Sequence, residues 1–106
     1  MPVVARREAA RRDLVEHFVY LAENAGLDVA DRFLSRAESS FDDLARQPMM
    51  GAPLNLGHAD LGTLRKWRVK DFDSYLVFYE PRVDGVSIVR VLHAASDWWA
   101  AMGFEA

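Results

Sequence analysis

Two runs in the second half of the chain, Tyr75-Leu76-Val77-Phe78-Tyr79 and Val86-Ser87-Ile88-Val89-Arg90-Val91-Leu92, are apolar at nearly every position. β-Branched and aromatic residues in succession favour extended backbone, and a strand shows alternate side chains to opposite faces. A strand that is apolar on both faces must be covered on both faces. Pro81 to Gly85 separates the two runs and ends in Asp84-Gly85, a strong hairpin signal. Ahead of them, Leu64 to Lys70 reads as a third strand, turning back through Asp71 to Ser74. Residues 64–93 are therefore expected to form a three-stranded antiparallel meander.

The first half has to supply cover for that sheet. From Glu8 to Asn24 the apolar residues Leu14, Phe18, Leu21 and Ala25 recur at helical spacing, with Val15, Val19 and Ala22 widening the stripe. Asn24 and Gly26 end this helix, and Asp28 reads as the N-cap of a second, with Asp31 in its first turn. That helix carries Ala30, Phe33, Ala37, Phe41 and Leu44 on one face, runs to about Arg46 and is stopped by Pro48. The two form an αα-hairpin whose helices each need a partner surface. Pro2 to Ala5 reads as a short strand, and residues 47–62, with Pro48, Gly51, Pro53, Gly57 and Gly62, as a loop. A helical hairpin covers only one face of the meander. The other falls to the tail, with Trp98, Trp99 and Phe104, or to another chain.

Length and charge narrow the classes of function. The chain of 106 residues is long enough for one domain, expected over residues 1–106. Its net charge is −3 and its pI about 5.5. A protein that neutralises phosphates would be basic, so direct sequence-specific nucleic-acid binding is not expected. A local basic patch at Arg65, Lys66, Arg68 and Lys70 on an acidic body suits a protein partner instead. No cysteine is present, which excludes thiolate chemistry, and no run is long and apolar enough to span a bilayer. No signal peptide is visible, so a cytoplasmic location with no membrane partner is expected. His17, His58 and His93 lack metal-ligand spacing, and neither a metal nor a cofactor is expected.

The order and spacing of several short strings resemble one family over nearly the whole chain. They are Arg7-x-Ala9 and Asp13-Leu14 in the first helix, then Leu44-Ala45-x-x-Pro48-x-x-Gly51. Leu64-Arg65, Tyr75-Leu76-Val77-Phe78-Tyr79 and Ile88-Val89-Arg90-Val91-Leu92-His93 follow in the meander. Together they resemble the ParE branch of the ParE/RelE toxin superfamily of bacterial type II toxin–antitoxin systems. The resemblance implies an α+β fold: a short N-terminal strand, an αα-hairpin packed on the antiparallel three-stranded meander, and a small C-terminal helix. It implies a ParD-like antitoxin that wraps the toxin in a hetero-oligomer, and DNA gyrase as the target. RelE toxins, on the same fold, instead cut mRNA in the ribosomal A site, so fold does not choose between the branches. A module that has lost toxicity and survives as a binding partner is a further alternative.

The candidate residues favour binding over catalysis. Where the RelE branch has cations, this chain has Leu76 and Ala94-Ala95. His93 and Asp97, four residues apart, offer a base and its orienting acid, yet no nucleophile or oxyanion donor accompanies them. No catalytic residue is assigned. Arg65 and Arg90, cations in apolar strands, need partners: either Asp13, Glu16 or Asp97 within the chain, or carboxylates of a second protein. The expected partner-binding set, for antitoxin or target, is Arg65, Trp67, Arg68, Tyr75, Tyr79, Arg90, His93, Trp98 and Trp99. Adjacent helical residues point about 100° apart, so Trp98 and Trp99 cannot both face the same way. Either one packs on the sheet while a partner covers the other, or the tail folds back over both. The hairpin face with Val19 and Tyr20 is a second place for an antitoxin segment.

Overall fold

The computed structural model describes residues 2–54 and 64–101, with the backbone alone for Trp99. In chain order the elements are β1 (Val3–Arg6), α1 (Glu8–Asn24), α2 (Leu27–Arg46), β2 (Ala52–Pro53), β3 (Arg65–Val69), β4 (Phe72–Arg82), β5 (Gly85–His93) and α3 (Trp98–Ala101). The meander forms as the apolar pattern predicts, but it is the middle of a larger sheet of order β1-β5-β4-β3-β2. At one edge β1 lies parallel to β5, from Val3 beside Gly85 to Arg6 beside Ile88. At the other, β2 pairs Ala52 with Lys66 and Pro53 with Arg65. The expected meander is thus extended at both edges, by the expected N-terminal strand as β1 and by β2 in the segment expected as loop.

Local chemistry moves two boundaries and inserts one bulge. Gly26 enters α2 at φ 102°, a conformation open to glycine, so the helix begins at Leu27 and Asp28 sits in its first turn. No side-chain cap bond is made there. The β3–β4 turn is only Lys70-Asp71, with Asp71 at φ 64°, which aspartate tolerates. Asp73 and Ser74 therefore belong to β4. Between β4 and β5 the register slips after Phe78, which faces Arg90 while Tyr79 faces Ile88, so Val89 forms a bulge.

Both faces of the sheet are covered, unequally. The helices bury one face: Phe33, Ala37, Phe41 and Leu44 of α2 and Ala10 and Leu14 of α1 pack on Val69, Tyr75, Val77, Tyr79, Val86, Ile88 and Val91. On the opposite face Phe78 and Leu92 form a smaller cluster with Leu54 and Leu64, and Leu76, Val89 and Trp98 lie against it. The Trp98 ring stands 5.3 Å from that of Phe78, so the tail supplies part of the second cover. The side chain of Trp99 and all of Phe104 lie outside the described residues.

The parallel edge depends on a close approach. The Val3 N–H donates to the Asp84 carbonyl at 2.7 Å, bringing β1 against the first residue of β5. A Cβ on Gly85 would fall inside the van der Waals radius of the Val3 carbonyl oxygen. Gly85→Ala is expected to lower stability by about 2–3 kcal/mol, because backbone rather than a flexible side chain must move. A denaturation midpoint that falls at unchanged slope would show it.

Candidate functional site

Beyond Ile88, β5 loses its neighbour on the β1 side, and α1 supplies the missing partners. The spacing of Asp13 and His17, one helical turn, places both on the side that faces β5. The buried Asp13 carboxylate accepts the Val91 N–H at 3.0 Å. His17 Nε2 lies 2.7 Å from the Val91 carbonyl, an acceptor that fixes the proton on that nitrogen. Arg90 closes the arrangement, with Nε and Nη2 at 2.7 and 2.9 Å from the two Asp13 oxygens. These bonds, reinforced by the charges of Asp13 and Glu16, push the guanidinium further toward its charged form than burial pulls it back. Arg90 is thus spent inside the chain, with Asp13 the partner among the three carboxylates the sequence offered. Its remaining Nη1 donates to the Ala101 carbonyl at 3.1 Å.

A second polar knot ties the segment after α2 to the sheet. The Tyr79 hydroxyl donates to the Pro48 carbonyl at 2.7 Å and accepts the Gly51 N–H at 2.9 Å. Arg65 Nη1 donates to the carbonyls of Gly51 and Met49 at 2.6 and 3.2 Å. Gly51 is obligatory, since a Cβ would meet both the Tyr79 hydroxyl and the Lys66 carbonyl. Burial raises the phenol of Tyr79 above its ordinary value, and the Gly51 N–H and the Arg65 charge pull it part of the way back. Tyr75 is raised as well, chiefly by burial.

The other expected residues scatter. Tyr75 is buried beside Phe33, its ring 4.9 Å from both His17 and His93. His93 Nδ1 accepts the Ala95 N–H at 3.0 Å, so this nitrogen serves the turn into α3 rather than Asp97. Trp67 is half-buried on the helix side of the sheet, and the exposed Arg68 lies 5.1 Å from its ring and 3.4 Å from Asp73. Lys66 Nζ sits 5.5 Å from the Trp98 ring. Ser40, Asp43, Met50, Trp67, Arg68 and Lys70 help to line a cleft of about 500 Å³ beside β3. Among the described residues no group of three His, Asp or Glu side chains could hold a metal ion.

The open surface is elsewhere, along the helical hairpin. Leu14, Val15, Phe18 and Leu34 floor a groove of about 420 Å³ between α1 and α2, rimmed by Arg6, Arg11 and Glu38. An adjoining recess of about 330 Å³ is lined by Glu8, Arg11, Arg12, Val15 and Glu16. Val15 is 63 % and Val19 47 % exposed, large values for valines on a helix already packed on its other side. Arg6 reaches Glu38 at 3.5 Å and Arg7 pairs with Glu80, whereas Arg11 and Arg12 have no ion-pair partner among the described residues. The expected set named neither arginine. The available signal was the width of the α1 stripe: Leu14 and Leu21 suffice for the core, so Val15 and Val19 were surplus to it.

The family model described as "ParE toxin of type II toxin-antitoxin system, parDE" matches residues 4–98. The chain belongs to the ParE toxin family. Its fold is similar to that of a solved chain from the "Chromosomal ParDE TA system from P. aeruginosa", with a TM-score of 0.71. The two are 13% identical, and the match covers 88% of this chain and 96% of the other, a likeness of fold. No curated protein matches the chain. In this ParE-family chain, the resemblance-bearing Arg65 and Tyr79 tether the segment holding Pro48 and Gly51.

The tyrosine knot has a readable pH signature. The folded state favours the neutral phenols of Tyr79 and Tyr75, so their contribution is complete below the ordinary phenol pKa, near 10, and is lost as pH rises above it. Tyr79→Phe is expected to cost about 1–3 kcal/mol at neutral pH, because the Gly51 N–H and the Pro48 carbonyl lose their partner. It should also lose less stability than the parent between pH 8 and 11. Denaturation midpoints across that range measure both effects.

Proposed function

We propose that this ParE-family chain is a toxin that acts by binding rather than by catalysis. Its target is DNA gyrase, and a ParD-like antitoxin silences it in the cytoplasm. The observation that carries the antitoxin reading is the apolar-floored groove between α1 and α2, with Arg11 at its rim and Arg12 in the adjoining recess, neither with an ion-pair partner among the described residues. An acidic amphipathic helix fits that chemistry: apolar residues at i, i+3, i+4 and i+7 meet the floor, and its carboxylates meet the arginines. Docking there would also cover Val15 and Val19. The gyrase target rests on membership of the family.

The disposition of the sheet's cations supports a binding role. Stabilising the charge of a cleaved phosphodiester takes guanidinium or ammonium groups aimed at open space. Arg90 is turned to Asp13 and Arg65 to backbone carbonyls, while Leu76 occupies a position where the RelE branch has a cation. Expression without the antitoxin is expected to give gyrase-dependent DNA breaks and filamentous cells while translation continues. Arrest of translation with mRNA cut in the ribosomal A site would assign the chain to the nuclease class instead, and harmless folded protein to a binding module.

The groove is tested separately with the ParD-like antitoxin proposed above. Reversing charge in Arg11→Glu and Arg12→Glu should weaken its binding about tenfold or more each and flatten the salt dependence, with the fold unchanged. Undiminished affinity in the double variant would remove the antitoxin from this groove.

A further inference from the structure

Arg90 touches both sides of the molecule. Its Nε and Nη2 hold Asp13 in α1, which packs on the helix-covered face, and its Nη1 holds the carbonyl of Ala101 in α3. The Trp98 of α3 lies against the other face. The reach is possible because the β1–β5 pairing ends at Arg6 and Ile88, leaving Arg90 at an open edge just after the Val89 bulge.

A four-residue helix does not hold itself in place, so α3 depends on what it docks against. An unrestrained arginine would add little, since fixing its long side chain costs rotamer entropy. Here the two bonds to Asp13 have already fixed the guanidinium, and the attraction of Glu16 acts in the same sense. The third donor is therefore presented to Ala101 with most of its ordering done. We propose that Arg90 is a mechanical link across the sheet, through which Asp13 in α1 sets how firmly α3 covers the outer face. The link belongs to the chain alone and does not depend on the partners proposed above. Through it, anything that displaces the first half of α1 loosens the cover of Phe78 and Leu92 on the far side.

Amide hydrogen exchange of the full chain tests the link. The Ala101 N–H, bonded to the Asp97 carbonyl at 3.2 Å, reports on α3, and the amide of the fully buried Val77, which Asp13 does not touch, reports on the core. Arg90→Lys leaves Asp13 a cation but provides no fixed fork, and should raise Ala101 exchange about three- to tenfold while the core stays protected. Asp13→Asn, which touches no part of α3, should raise Ala101 exchange similarly. In the double variant the second substitution should add almost nothing to the first. Trp98→Ala serves as the control that exposes α3 directly. If Asp13→Asn does not fold, Asp13→Glu keeps the charge, moves it by one methylene and carries the same expectation. The link is overturned if Ala101 protection is unchanged in either single variant while Trp98→Ala raises it, or if the two effects add in full.

Discussion

A carboxylate that completes a β-strand holds this fold together. Where β1 runs out, the outer peptide groups of Val91 would face the interior unpaired. An unsatisfied buried donor or acceptor costs about 1–3 kcal/mol. Asp13 takes the N–H and His17 meets the carbonyl, so one turn of α1 does the work of one more residue of strand. The cost of burying the Asp13 charge is offset by Arg90 from the same strand. Helix position, strand edge and charge balance are therefore one constraint. Removing either partner of such a buried pair typically costs 3–5 kcal/mol. That explains why an acid sits on the buried side of an otherwise apolar stripe.

The two faces of the sheet have been solved by different means. Twenty residues of α2 and seventeen of α1 seal one face with Phe33, Phe41 and Leu44 fully buried. Among the described residues the other face relies on Trp98 and the residues flanking the undescribed segment, Leu54 and Leu64. The first face has deep cover and a redundant apolar exterior along α1. The second has shallow cover fastened by a few polar bonds at Arg90 and His93.

Local signals in the sequence were legible, and distant ones were not. Apolar spacing set the helices nearly to the residue, because Leu14, Leu21, Phe33 and Phe41 can be buried together only on helices. Alternating and β-branched residues set the meander. The five-stranded sheet was not legible: β1 has four residues and β2 two, and neither carries a pattern that names its partner strand. Asp28 misled because Gly26, two positions earlier, allowed the chain to turn into the helix without a side-chain cap. For the candidate site, the sequence showed that Arg65 and Arg90 needed partners and offered Asp13 among them for Arg90. It did not reveal that Arg65 would serve backbone carbonyls. Arg11 was not among the candidates, since only the packed hairpin shows the apolar groove that it rims between α1 and α2.

The parallel pairing of β1 with β5 has a consequence for synthesis. Asp13 and Val91 are 78 positions apart, and chain elongation at about 5–20 residues per second takes on the order of ten seconds to bridge such a gap. Throughout that interval the nascent helical hairpin has no sheet to cover, β1 has no neighbour and the Asp13 carboxylate has no cation. The native fold cannot close until the last strand leaves the ribosome. The first half of the chain therefore emerges as an adhesive, unfinished surface before the completed protein exists.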